Sequence, residues 1–218
     1  MTHVPAMQKV LRVEDFFTRV GRVWPAGRRD LHWHLLPTEA EARALTAPYA
    51  EVVSRPGLQP VPPQWMHCTL LHAVGAGRSA VDADGLVDTV RQYAQTVTPF
   101  TLTFDRPAVG PVAVEISGWP GQPFAELGTA VTEAMTGSGV PFTAARSRYP
   151  HMSVAYTTEG AEDVDAVAVK ASLADVAGPL SATVYVDRLH LVEQWHDGAH
   201  ITWEPLAEVH LAGAGAPA

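Results

Sequence analysis

The order strand, helix, strand, helix, strand occurs twice in this chain, and the second pass follows the first at an offset near 80–84 residues. In the first pass, residues 31–36 (Leu-His-Trp-His-Leu-Leu) read as a strand closed by Pro37, and Thr38 caps a helix that runs to about residue 54. A proline-rich loop covers 55–63. Residues 65–74 then read as a strand, 83–96 as a helix, and 100–104 as a strand of β-branched and aromatic residues. In the second pass 112–117, 149–156 and 182–192 read as strands, and 120–136 and 162–176 as helices. A period of this kind is the signature of an internal duplication. Two such units would pack as two lobes with their central strands facing a shared cleft, sheet inside and helices outside. A cleft between related lobes is a common ligand site.

The expected organisation is a single two-lobed domain over 31–210, with repeat units at about 31–104 and 112–192 and a final strand at about 200–210. Residues 1–30 form an N-terminal extension outside the repeat, with a short helix near 9–20. Residues 211–218 are small and of low complexity, which reads as a flexible tail.

Composition narrows the function classes. Of 218 residues, 47% are hydrophobic and 17% charged, which excludes disorder as the main state. Fifteen Lys and Arg against 23 Asp and Glu leave a net charge of −8, so the broad basic footprint that grips long nucleic acid is absent and DNA is not an expected partner. One cysteine, Cys68, rules out an internal disulfide framework and a Cys-rich zinc site and suits a reducing compartment. The uncharged run 56–77 holds four prolines together with His67 and His72, so it cannot span a membrane as a helix. Residues 1–12 lack the apolar stretch of a secretory signal, and a cytoplasmic location is the expectation.

Chemistry concentrates where the repeat carries a motif with it. His67-Cys68-Thr69-Leu70 and His151-Met152-Ser153-Val154 stand 84 residues apart on corresponding strands. Residues i and i+2 of a strand share a face about 6.6 Å apart. Each lobe would then show one imidazole and one hydroxyl to the same side, while Met66, Cys68 and Leu70, like Met152 and Val154, turn to the helices. With 10 histidines and 26 Ser and Thr in the chain, a single His-x-Ser/Thr is expected about once by chance. A third match, His200-Ile201-Thr202, has no partner at the repeat offset and reads as coincidence. The joint occurrence of the other two carries the signal.

On these two motifs, and in the strand context and repeat order over about residues 31–192, the sequence resembles the 2H phosphoesterase superfamily, with the 2′-5′ RNA ligase and cyclic nucleotide phosphodiesterase branches nearest. The resemblance implies an α+β fold, duplicated, two-lobed and pseudo-symmetric, in which two mainly antiparallel sheets face a central cleft with helices outside; within it, His67 and His151 are implied to be catalytic and Thr69 and Ser153 to bind phosphate. It also implies a nucleotide or short RNA with a cyclic phosphate terminus as substrate, 2′-5′ ligation as the reverse reaction, and no cofactor. Many relatives carry an Arg soon after the second motif; Val154-Ala155-Tyr156-Thr157 has none. The residue types suit the chemistry. Opening a 2′,3′-cyclic phosphate needs a base for water and an acid for the departing ribose oxygen, and an imidazole with a pKa of about 6.5 can fill either role near neutral pH. Two hydroxyls can donate to the non-bridging oxygens. No metal is needed.

Trp65 and Tyr149 each precede their histidine by two, placed either to stack on a nucleobase or to pack the cleft rim. Arg148, with Arg146 beside it, is placed to offset substrate charge. Arg188 and His190 share a strand face, at the cleft or at the sheet edge. Cys68 reads as inert core, and Gly75-Ala76-Gly77 and Gly137-Ser138-Gly139 as turns. Two other functions compete: a non-catalytic module of the same fold that binds a nucleotide or RNA end, and a metal-dependent hydrolase built on His32 and His34 with His67.

Overall fold

In the computed structural model, which describes residues 12–177 and 180–213, the chain runs through α1 (Phe16–Val20), β1 (Asp30–Leu35), α2 (Glu39–Thr46), α3 (Ala50–Val53), β2 (Leu58–Pro60), β3 (Cys68–Val74), α4 (Ala83–Ala94) and β4 (Phe100–Val109). It continues through β5 (Ala113–Trp119), α5 (Gly121–Gly137), β6 (Thr143–Arg146), β7 (His151–Thr157), α6 (Ala166–Ala174), β8 (Ala182–Val186), β9 (Arg188–His196) and β10 (Ile201–His210). The strands form two antiparallel five-stranded sheets, ordered β10-β9-β1-β3-β6 and β2-β7-β5-β4-β8. The first motif opens β3 and the second opens β7, and each of these strands lies next to the edge strand of its sheet. The α+β class and the facing pair of antiparallel sheets agree with the sequence reading.

The two halves interlock. β2, which precedes β3 in the chain, pairs with β7, and β6, which precedes β7, pairs with β3. β4 likewise crosses to pair with β5, and β9 with β1. Each sheet is therefore built from both passes of the repeat, and the short exchanged strands cover what would otherwise be open edges beside the motif strands.

Several local readings are corrected. The expected strand 182–192 breaks at Asp187, where β8 closes one sheet and β9 starts in the other; β9 runs on to His196, and after the Asp197–His200 turn β10 occupies the place expected for the last strand. The expected helix over 39–54 breaks around Pro48, which sits in a 3-10 turn because it can offer no N–H to the preceding turn. Its start is as expected, with Thr38 and Glu41 closing a capping box. Residues 162–176 contain a 3-10 turn and only a nine-residue helix, capped by Asp165. The loop 55–63 hides β2, and β6 has no alternation to announce it, since all four of its residues are exposed. The expected strands at 65–74 and 149–156 begin three and two residues later, at Cys68 and His151. Pro62 and Pro63 shape a 3-10 turn ending at Trp65, and Pro150 follows a bend. Of the short helix expected near 9–20, Phe16–Val20 is observed and 1–11 lies outside the described residues. Leu211 is buried and donates its N–H to Asp187, so the chain is docked at this point; 214–218 lies outside the described residues.

Packing follows from the strand faces. Cys68, Leu70, Met152, Val154, Ile116 and Phe104 are buried on the outward faces. There they meet Leu86, Val87 and Val90 of α4, Phe124, Leu127 and Val131 of α5, and Val169 and Leu173 of α6 within one contiguous core. Alternation then fails at one point in each motif strand. Opposite β3, Trp33 faces Leu71 but His34 faces Thr69; opposite β7, Val114 faces Ala155 but Glu115 faces Ser153. Leu70 and Val154 are thus extra residues of two β-bulges, each one position after the motif hydroxyl. A bulge re-aims the side chains around it: it lets Leu70 and Leu71, or Val154 and Ala155, be buried in succession while the hydroxyl keeps the inner face. The N-terminal segment packs Phe16 and Phe17 on Tyr156 and Trp24 on His32, His72 and His196. Among the described residues no helix is long and apolar enough to cross a membrane.

Candidate active site

The two motif histidines are held alike. His67 Nδ1 lies 2.9 Å from the carbonyl oxygen of Trp65, and His151 Nδ1 lies 3.1 Å from that of Tyr149. A carbonyl can only accept, so Nδ1 carries the hydrogen in both rings and Nε2 remains for acid/base work. The proline-shaped entry into each strand produces this contact: both carbonyls belong to residues that have not yet joined the sheet and can turn back toward the ring. The thiol of Cys68 is buried at the start of β3. Burial pushes that thiol up to about 12, which leaves it inert at neutral pH, as expected from the sequence.

The surroundings of the two imidazoles differ. His67 stacks on His34, with ring centres 4.5 Å apart, and meets the edge of Trp203 at 5.0 Å. Burial lowers its pKa to about 4; the Trp65 carbonyl opposes this and the neighbouring His151 adds to it. His34 continues into His32 and then His72, whose Nε2 is 2.8 Å from the Asp30 carboxylate. His32 and His34 are buried, and burial, followed by repulsion from the neighbouring imidazoles, holds both pKa values well below the usual range. His151 is instead 27% exposed, and its Nε2 lies 4.0 Å from Glu115 Oε1. Glu115 and His34 occupy corresponding places, each directly across from its motif hydroxyl. The sequence reading missed Glu115 altogether and weighed His34 only as a metal ligand. Their separation of 81 residues, close to the repeat offset, is the signal that could have found both.

Thr69 and Ser153 are half-buried on the inner faces of their strands, beside His34 and Glu115. The aromatic residues part company. Trp65 packs edge-on against Trp203 at 4.8 Å, whereas Tyr149 is 48% exposed with its ring 5.2 Å from that of His151. Neither lies on a strand, so the shared-face argument for them is replaced by these contacts. Arg148 is exposed in the bend beside Tyr149, while Arg146 is pinned to α5 through Ala125 and Thr129. Arg188 is tied to Asp187 and Glu208, and His190 lies across from His34. His200 is exposed and meets the side chain of Gln59. The rings of His32, His34 and His67 do not converge on a point: His34 stacks on His67 and meets His32 edge-on. Among the described residues no group of three His, Cys, Asp or Glu side chains is arranged to hold a metal ion.

Solved structures of other proteins share this fold. No curated protein matches the sequence. Among solved structures, LigT of E. coli, determined with 3′-AMP, is similar at a TM-score of 0.58 and 16% identity, over 84% of this chain and 98% of that one. TT0787 of Thermus thermophilus is similar at a TM-score of 0.60 and 15% identity, over 85% of this chain and 100% of that one. At such identities the likeness concerns the fold. The sequence profile of the 2′-5′ RNA ligase superfamily matches residues 37–198, which include both motifs and most of the two sheets. The chain therefore belongs to the 2′-5′ RNA ligase superfamily, among the 2H phosphoesterases.

Proposed function

We propose that this protein opens 2′,3′-cyclic phosphates of nucleotides or RNA ends by two-histidine acid/base catalysis that needs no metal. The observation that carries the reading is the matched pair of imidazoles, each with Nδ1 spent on a backbone carbonyl and Nε2 available. LigT has been solved with 3′-AMP, with NADP+ and with ATP, which supports a nucleotide as the bound species here. His67, held neutral by burial, is the base: its Nε2 takes a proton from water as the water oxygen bonds to phosphorus. His151, beside the Glu115 carboxylate, is the acid: its Nε2–H passes a proton to the ribose oxygen as the phosphorus–oxygen bond breaks. Thr69 and Ser153 donate hydrogen bonds to the non-bridging oxygens and stabilise the charge that grows there. With a ribose hydroxyl of a second nucleotide in place of water as the attacking group, the same two proton transfers join two ends: the new phosphorus–oxygen bond forms as the ring phosphorus–oxygen bond breaks and its ribose oxygen takes the proton.

The test is a panel of 2′,3′-cyclic nucleotides and 2′-5′-linked dinucleotides with product identification, with and without prior EDTA treatment. The expected result is a nucleoside monophosphate formed at a rate indifferent to chelation. Activity lost to EDTA and restored by metal would replace this mechanism with one in which a metal-bound water attacks. Tight nucleotide binding without turnover of any member of the panel would make the protein a binding module.

The hydroxyls contribute hydrogen bonds to a charged group, each on the order of 1–3 kcal/mol. Thr69→Ala and Ser153→Ala are expected to lower kcat/KM roughly ten- to a hundredfold. Steady-state kinetics on the best cyclic nucleotide decide this, and variants equal to wild type would remove the two residues from the phosphate site.

A further inference from the structure

Large apolar side chains with open surface are few among the described residues, and two of them flank the start of the second motif strand. Trp119 is 45% exposed and Tyr149 is 48% exposed. The register brings their backbones near each other: Ser117 faces His151 and the Gly118 N–H donates to the Pro150 carbonyl at 2.8 Å, with Trp119 the residue after Gly118 and Tyr149 the residue before Pro150. Alternation puts Trp119 on the face of Glu115 and Ser117. A side chain at Gly118 would run into the buried ring of Phe104 on the other face. The indole is held in place by donating Nε1–H to Asp105 Oδ2 at 3.3 Å, while the other oxygen of Asp105 lies 3.4 Å from Arg106 Nε. Arg106 stands directly across from Ser117, itself across from His151, and its side chain is mostly exposed.

At the first motif the corresponding aromatic residue, Trp65, is spent on Trp203. Among the described residues the large exposed rings lie on the sheet carrying His151, and that sheet offers a cation beside them. A ligand that matches both features is planar, aromatic and anionic. We infer that Trp119 and Tyr149 form a stacking subsite for the nucleobase, and that Arg106 binds a second phosphate of an extended substrate. The base then lies on the His151 sheet, and the preferred substrate is a nucleotide end carrying a further phosphate rather than a bare sugar cyclic phosphate. Arg106 thereby supplies, from the neighbouring strand β4, a cation that the sequence after the second motif lacks. The inference rests on the cyclic-phosphate reading for its substrate, but its binding half stands by itself.

Base stacking on an aromatic side chain contributes about five- to a hundredfold in binding. The experiment compares kcat/KM for a 2′,3′-cyclic nucleotide and for base-free ribose 2′,3′-cyclic phosphate, in wild type, Trp119→Ala and Trp119→Phe. Wild type is expected to favour the nucleotide at least tenfold, Trp119→Ala to lose most of that ratio, and Trp119→Phe to keep most of it. Arg106→Gln is expected to cost about tenfold on a cyclic nucleotide with a 5′-phosphate and little on one without. Titration with a nucleoside monophosphate, followed by tryptophan fluorescence, should show quenching that Trp119→Phe abolishes. Cyclic-phosphate turnover with no preference for the base, or a preference that survives in Trp119→Ala, overturns the subsite and leaves the chemistry standing. Quenching lost in Trp119→Phe, with no cyclic phosphate turned over by wild type, upholds the subsite and overturns the chemistry.

Discussion

His67→Ala and His151→Ala are each expected to lower turnover of a 2′,3′-cyclic nucleotide by about 10²–10⁴-fold, because each removes one of the two proton-transfer groups. The pair acts as a unit, so the double variant should lose much less than the product of the single losses. His151 is partly open to solvent and its loss leaves no large void, whereas His67 is stacked on His34 and set edge-on to Trp203; circular dichroism of both variants therefore accompanies the kinetics. The division of roles has its own readout. On a nucleotide phosphodiester with a nitrophenol leaving group, departure needs little protonation, so the deficit of His151→Ala should shrink while that of His67→Ala persists. Equal deficits on both kinds of substrate would reject the assignment of acid and base, and a fully active double variant would reject both histidines.

The second large effect is on stability. His32, His34 and His67 are buried and held neutral in the folded protein, His67 with a pKa of about 4 and the other two well below their usual range. In the unfolded chain all three titrate near a pH of about 6.5. Above that pH they make no difference between the two states. Below it the unfolded chain takes up protons that the folded protein refuses, so stability falls by about 1.4 kcal/mol per pH unit for each group. Three groups together give a slope approaching about 4 kcal/mol per unit below about pH 6, with the His67 contribution levelling off near pH 4. Against a typical domain stability of about 5–15 kcal/mol, a loss at this slope beginning near about pH 6.5 is expected to unfold the protein roughly two to five units below neutrality. Urea midpoints at about pH 7.5, 6.5, 5.5 and 5.0 measure it. His32→Phe keeps a ring between His72 and Trp24 and removes two buried nitrogens that have no hydrogen-bond partner. It should cost little at about pH 7.5 and flatten the slope by about a third. Midpoints that do not move over this range would mean that the buried imidazoles are not held neutral.

Much of the candidate site could be read from residue order because the duplication repeats residue types and spacing together. The two His-x-Thr/Ser motifs, their strands, the inward-facing hydroxyls and the helices behind them all follow from local pattern, and the α+β class follows from the family resemblance that the motifs carry. The failures have local causes as well. Prolines at 48, 62 and 63 cut or delay elements that the hydrophobic pattern carried on, and Asp187 interrupts an apolar run without a Gly or Pro to mark the break. The bulges at Leu70 and Val154 are invisible in the sequence, since an extra buried residue in a strand looks like any other apolar position.

The sequence by itself determined the repeat, the two lobes it implies and the identity of the four motif residues, because periodicity and spacing are properties of the chain. Only the tertiary structure decided that the halves exchange strands, so that β2 and β6 each flank the motif of the other half. It alone set an imidazole stack against His67 and a carboxylate beside His151, the different surroundings on which the proposed division of roles rests. It also left Trp119 open while Trp65 is covered. The reason is physical: proton affinity and ring exposure depend on what lies a few ångströms away across a sheet, and those neighbours come from segments distant in sequence.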